Sequence, residues 1–240
     1  MNKLANVLTA SVTTLLRGGM GMSVRSPGAR PGVPIELYDF EGCPFCRRVR
    51  EAFSLLDLEV LVRHCPKGGR RFRDELRRVG GKSQFPYMLD PNTEEAIYES
   101  GDIVNYLFAR YGEGAPPVLL RGGGLSTLAV AVSGIGRGTA GCYVQASRPP
   151  EDLLELFSYE ASPYCRLVRE TLCELEIPYL LHNVARGSAR REAFVVRSGK
   201  MQVPYLVDPN SGVEMFESME IIEYLQATYA AGWGGAVPSS

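Results

Sequence analysis

Apolar and polar positions alternate along "IELYDF" (Ile35 to Phe40), the period of two expected of a strand. From Pro44 the period changes: "PFCRRVREAFSLLDL" carries apolar residues at helical spacing. Proline suits the first helical position because the N–H it lacks has no partner to lose there. "EVLVRHC" reads as a second strand, and reaching it through a helix makes it parallel to the first. "RFRDELRRVGG" predicts a short charged helix ending on glycines. "PYMLD", "DPNTEE" and "AIYE" predict a hairpin with Pro91 and Asn92 in its turn, and Ser100 is expected to N-cap an amphipathic helix through "GDIVNYLFARYG". The order is βαβ, then α, then ββα.

The pattern then recurs. "EGCPFCRRVRE" at Glu41 returns as "EASPYCRLVRE" at Glu160, "QFPYMLDPNTEEAIYES" as "QVPYLVDPNSGVEMFES", and "NYLFARYG" as "EYLQATYA". A period this long is the duplication of a domain, not a solenoid repeat. The expected division is a helical pre-element over 1–33, domain 1 over 34–112, a linker with a second pre-element over 113–150, domain 2 over 151–231 and a flexible tail over 232–240. Residues 1–35 hold no Asp or Glu, which also fits a residual transit peptide. Against that, "LTASVTTLLRGGMG" has a counterpart before the second motif in "LAVAVSGIGRGTAG", and an address would not be repeated mid-chain.

With 240 residues, 45% of them apolar, and a net charge of −1, the chain has enough apolar residues for two cores and no general electrostatic attraction for nucleic acid. Its longest apolar runs, "LANVLTASVTTLL" and "LSTLAVAVSGI", are too short to span a bilayer, so a soluble protein is expected. The spacing of Cys43, Cys46, Cys65, Cys142, Cys165 and Cys173 is unlike a secreted disulfide framework and points to a reducing compartment.

Cys43 stands immediately before Pro44, where a helix N-terminus would stabilise its thiolate and lower its pKa. Arg47 and the basic run from Arg63 to Lys82 are expected to add to this. Cys46 lies one turn on, facing the core, suited to resolve a mixed disulfide. The same C-x-x-C spacing serves zinc sites, but the nearest further ligands, His64 and Cys65, are adjacent on a strand and face opposite ways, so no metal is expected. Two buried cysteines without chemistry is the other reading.

A strand running into C-P-F-C, a Phe-Pro before the third strand and Glu-Ser opening the last helix resemble the glutaredoxin branch of the thioredoxin fold, and equally the N-terminal domain of glutathione transferases. The tandem arrangement resembles two-domain plant and algal chloroplast proteins. The resemblance implies an α/β protein of two thioredoxin-like domains, each with a four-stranded mixed sheet. It implies a cis bond before Pro86 that brings the Phe85 backbone to glutathione, with Glu99 and Ser100, and Asp102 as a further partner, holding the γ-glutamyl end.

In the second half Ser162 replaces the attacking thiol beside Cys165, so dithiol exchange is excluded there. Val203, Pro204, Glu217 and Ser218 keep the glutathione pattern. Ser162 either donates to a bound glutathione thiolate or belongs to a copy kept for packing. The expected function is glutathione-linked thiol–disulfide exchange, with Cys43 attacking and Cys46 resolving, on disulfide or glutathionylated substrates in the chloroplast stroma. A non-catalytic glutathione-binding or assembly protein is the alternative, and an iron–sulfur or haem carrier a minor one. A protein partner is compatible with either of the first two.

Overall fold

Strand β1 (Ile35–Asp39) buries four of its five residues, and the chain then enters α1 (Pro44–Leu55) with Pro44 in its first turn. β2 (Val60–His64) follows, then α2 (Arg71–Gly80), the hairpin β3 (Tyr87–Asp90) and β4 (Glu95–Tyr98), and α3 (Ser100–Tyr111). The second half repeats this as β5 (Leu154–Ser158), α4 (Pro163–Glu174), β6 (Tyr179–Asn183), α5 (Arg191–Ser198), β7 (Tyr205–Asp208), β8 (Val213–Phe216) and α6 (Ser218–Tyr229). The structure, a computed structural model, describes residues 18–121 and 138–231. Most of both apolar runs expected as pre-element helices, and the tail 232–240, lie outside the described residues.

Each half is a thioredoxin-like unit. β1 and β2 are parallel, as the intervening helix requires, and β3 returns antiparallel to β1. The two four-stranded sheets do not stand apart. β2 pairs antiparallel with β6, setting Val60 opposite Leu181 and Val62 opposite Tyr179. One sheet of eight strands results, in the order β4-β3-β1-β2-β6-β5-β7-β8. An unpaired strand edge is an aggregation template, and this joint removes one from each half. On one face α1 packs against α3 and α4 against α6. The apolar core beneath them is continuous across the halves, from Ile35 and Leu37 to Leu156 and Tyr179. On the other face each half keeps a smaller cluster of its own, around Phe72 under α2 and Phe194 under α5.

The repeated "DPN" anchors each hairpin. Asn92 accepts from the N–H groups of Gly32 and Val33 and donates to the Val33 carbonyl and to Asp90. Asp90 in turn accepts from the hydroxyls of Tyr106 and Tyr111. Asn210, Asp208, Tyr224 and Tyr229 repeat the arrangement.

The repeated charges of "E…RRVRE" and "E…RLVRE" lock the halves together. Arg50 reaches Asp39 and Glu41 in its own half and Glu160 in the other, while Arg169 holds Glu41 through both carboxylate oxygens, at 3.1 and 3.2 Å. Arg169 also meets Glu160 at 3.0 Å. These side chains are 3% exposed or less, so Glu41 and Glu160 are each held by guanidinium groups from both halves in a site nearly devoid of water, while Asp39 meets Arg50 alone of the two. The expectation that Arg47 supports the Cys43 thiolate is corrected here. Its guanidinium is engaged by Glu51 at 3.1 Å and approaches Glu160 at 3.9 Å. Much of the basic run is also engaged elsewhere: Arg63 pairs with Glu36 and Glu75, and Arg71 donates to carbonyls at Leu175 and Glu176. Arg73 donates to the carbonyls of Cys65 and Pro66.

Candidate functional site

Cys43 is the N-cap residue of α1, with extended backbone at φ −79° and ψ 120°. Its sulfur accepts from the Cys46 N–H at 3.3 Å, which is how a side chain satisfies one of the orphan donors of a helix start. The first turn carries no acidic side chain, so the positive end of the helix is offered to sulfur. The Cys46 thiol bonding to Cys43 does most to lower the Cys43 pKa, against burial; the Cys46 and Phe45 N–H groups and the Arg50 charge work in the same direction. Burial pushes Cys46, Cys65 and Cys173 well above the ordinary thiol value, and raises Cys142 and Cys165 too. All six cysteines are free. Cys43 alone is biased toward thiolate.

Phe45, two residues on from Cys43, lines a cleft of about 170 Å³ together with Gln84, Phe85, Pro86, Glu99 and Ser100. The Phe85–Pro86 and Val203–Pro204 bonds are both cis. Phe85 is fixed edge-on to Phe40, ring centroids 5.9 Å apart, and lies under the Arg73 guanidinium. Ser100 is not the N-cap that its spacing suggests. It is the first residue of α3, and Glu99 holds the cap position at φ 66°. The Ser100 hydroxyl is buried and accepts from Arg48 at 3.2 Å. The exposed Glu99 carboxylate is held by the Gln84 amide at the mouth of the helix. A carboxylate beside free helical N–H groups offers complementary partners for an ammonium and a carboxylate carried on one ligand.

The second half repeats this geometry with different chemistry. Ser162 caps α4, its hydroxyl accepting from the Cys165 N–H at 3.2 Å and lying in hydrogen-bond contact with Tyr159. Glu217 stands at φ 68° before Ser218, held by Gln202 as Glu99 is by Gln84.

Residues 37–116 and 156–233 match the glutathione S-transferase, N-terminal domain family, two segments that together cover well over half the chain. The chain belongs to that family. Domains of this type bind glutathione, which fits a largely polar cleft edged by an acid at the cap position and a helix start. A solved structure of a glutathione transferase from Bombyx mori is similar at 27% identity, with a TM-score of 0.31. The similarity covers 36% of this chain and 39% of that one. No curated protein matches the chain.

Within this family frame the cleft brings together Phe85, Pro86, Glu99 and Ser100, while Cys43 and Cys46 pair with each other at the start of α1 and are not among its lining residues. Asp102 lies exposed in the first turn of α3, also outside the lining. Phe45 and Gln84 were not anticipated as cleft residues, nor Arg48 as the donor to Ser100. The signal for Gln84 was available, since glutamine precedes the X-Pro pair in both halves. Among the described residues no group of three His, Cys, Asp or Glu side chains is arranged to hold a metal ion, and no helix is long and apolar enough to cross a membrane.

Proposed function

We propose that the chain is a glutathione-linked thiol–disulfide oxidoreductase working at Cys43. The observation that carries this is a thiol biased toward thiolate at the cap of the helix whose Phe45 lines the cleft, while the other five cysteines are biased the other way. In the reaction the Cys43 thiolate attacks the glutathione sulfur of a mixed disulfide, the S–S bond breaks, and the substrate leaves as a thiol. A second glutathione thiolate attacks the glutathione sulfur on Cys43, forming glutathione disulfide and restoring the thiolate; with a protein disulfide as substrate Cys46 resolves, its thiolate attacking the Cys43 sulfur and releasing the substrate as a thiol. Phe85 and Pro86 present backbone to the cysteinyl part, and Glu99 with the Ser100 N–H takes the γ-glutamyl end. The second half is redox-silent, with Ser162, Val203, Pro204, Glu217 and Ser218 as its candidate glutathione contacts. The reading includes a chloroplast location, which a fluorescent fusion of the full chain would check.

Turnover of a glutathione mixed disulfide by purified protein, lost in Cys43→Ser, is the expected result. Absence of turnover in the wild type, with a Cys43 pKa near that of a free thiol, would remove the enzyme reading. One observation favours the alternative, a glutathione-binding or assembly protein without turnover: Cys43 is only 5% exposed. Under that reading glutathione binds and no substrate thiol is released.

A further inference from the structure

Of the cysteines that catalysis at Cys43 does not use, Cys142 stands beside the reactive one. It belongs to the segment leading into the second half, which crosses to the first. The Gly42 N–H donates to the Gly141 carbonyl at 3.2 Å, and Lys67 donates to the Cys142 carbonyl at 2.7 Å. The Cys142 sulfur rests against Gly42, so closely that a methyl group added there would lie 2.2 Å from it. Gly42 is the residue next to Cys43, and a Cys43 charge is among those felt by Cys142.

The second half supplies an internal comparison. Arg186 donates to the Met22 carbonyl just as Lys67 does to that of Cys142, and Gly21 lies on Glu160 as Gly141 lies on Glu41. Met22 is therefore the counterpart of Cys142, and Ala161 that of Gly42. Where the cap residue is Cys43, the crossing segment brings a thiol and the cap loop is cleared to glycine to admit it. Where the cap residue is Ser162, neither change is present.

We infer that Cys142 is a second resolving thiol for Cys43, forming a Cys43–Cys142 disulfide that closes the crossing segment over the first site. This rests on the reading of Cys43 as the attacking thiol. Glutathione disulfide is the oxidant: Cys43 takes one glutathione as a mixed disulfide and releases the other. The Cys142 thiolate, its proton given to solvent, then attacks the Cys43 sulfur. The glutathione sulfur leaves as thiolate and is protonated, so the two cysteines lose two electrons together. Cys46 is fully buried, whereas Cys142 is only partly so. Burial pushes the Cys142 pKa up, Lys67 acting against it, so closure quickens as pH rises.

The test treats full-length Cys46→Ser protein with glutathione disulfide and follows intact mass and non-reducing peptide maps. The expected result is a transient glutathione adduct on Cys43 replaced by a Cys43–Cys142 cross-link. In Cys46→Ser/Cys142→Ser, and in Cys46→Ser/Cys142→Met, which copies the other half, the adduct should persist. Cys46→Ser/Gly42→Ala should lose the cross-link, because the new methyl displaces the Cys142 sulfur. An adduct that persists equally with and without Cys142 would overturn the inference while leaving catalysis at Cys43 intact. A Cys43 that takes up no glutathione in any variant would overturn both.

Discussion

Replacing Glu41 by glutamine keeps the shape of the side chain and removes one charge from the centre of the molecule. The loss can be worked from two directions. Burial alone would raise the Glu41 pKa, but Arg169 and then Arg50 overcome it and hold the carboxyl at about 2, against an ordinary value of 4.5. That gap, at about 1.4 kcal/mol per pH unit, is worth about 3 kcal/mol. Breaking one partner of a buried pair costs about 3–5 kcal/mol by general experience, and the lower end applies here because Arg50 keeps Asp39 and Glu160 while Arg169 keeps Glu160. The two agree.

Urea unfolding at pH 7 should therefore show Glu41→Gln destabilised by about 3 kcal/mol, a midpoint shift of about 1 M at an m-value of about 3 kcal/mol per M. The pH dependence gives a second signature. A carboxyl whose folded pKa is lowered contributes fully above its unfolded pKa and loses that contribution as pH falls toward the folded one. Wild-type stability should thus decline between about pH 4.5 and pH 2, and Glu41→Gln should lack that part of the decline. A variant with wild-type stability at pH 7 and an unchanged acid limb would refute the claim that this carboxylate locks the halves.

Cys46→Ala should raise the Cys43 pKa, because the Cys46 thiol does most to lower it; the pH profile of alkylation would move to higher pH. Glu99→Ala should weaken glutathione binding at the first cleft, read by calorimetric titration. Glu217→Ala should lower the binding stoichiometry if the second half takes a ligand, and unchanged stoichiometry would count against that half. Asn92→Ala removes an anchor for the Gly32–Val33 backbone and should cost on the order of 1–2 kcal/mol in thermal or urea unfolding, with little effect on turnover.

Much of the architecture is written locally. The change from period two to helical spacing at Pro44, the "DPN" turns and the order of elements all follow from short-range rules, and duplication states them twice. The place of Cys43 at a helix start is legible for the same reason: proline next to cysteine marks such a start, and helix starts favour thiolates. The short-range reading misplaces the cap of α3, because Glu99 takes a left-handed backbone that neither its side chain nor its neighbours announce.

What the sequence could not decide is where charges and thiols meet across the duplication. Arg47 looks like a partner for Cys43 because it is near in sequence, yet it pairs with Glu51 one turn along its own helix and, with the halves joined, approaches Glu160. Cys142 lies far along the chain from Cys43, and only the crossing segment brings it against Gly42. The sequence determined two similar units and the cysteine at the helix start of one of them, since those depend on contacts a few residues apart. Only the tertiary structure decided that the units share one sheet, that repeated charges are their joint, and that a further thiol stands beside Cys43, since those contacts depend on burial across the join.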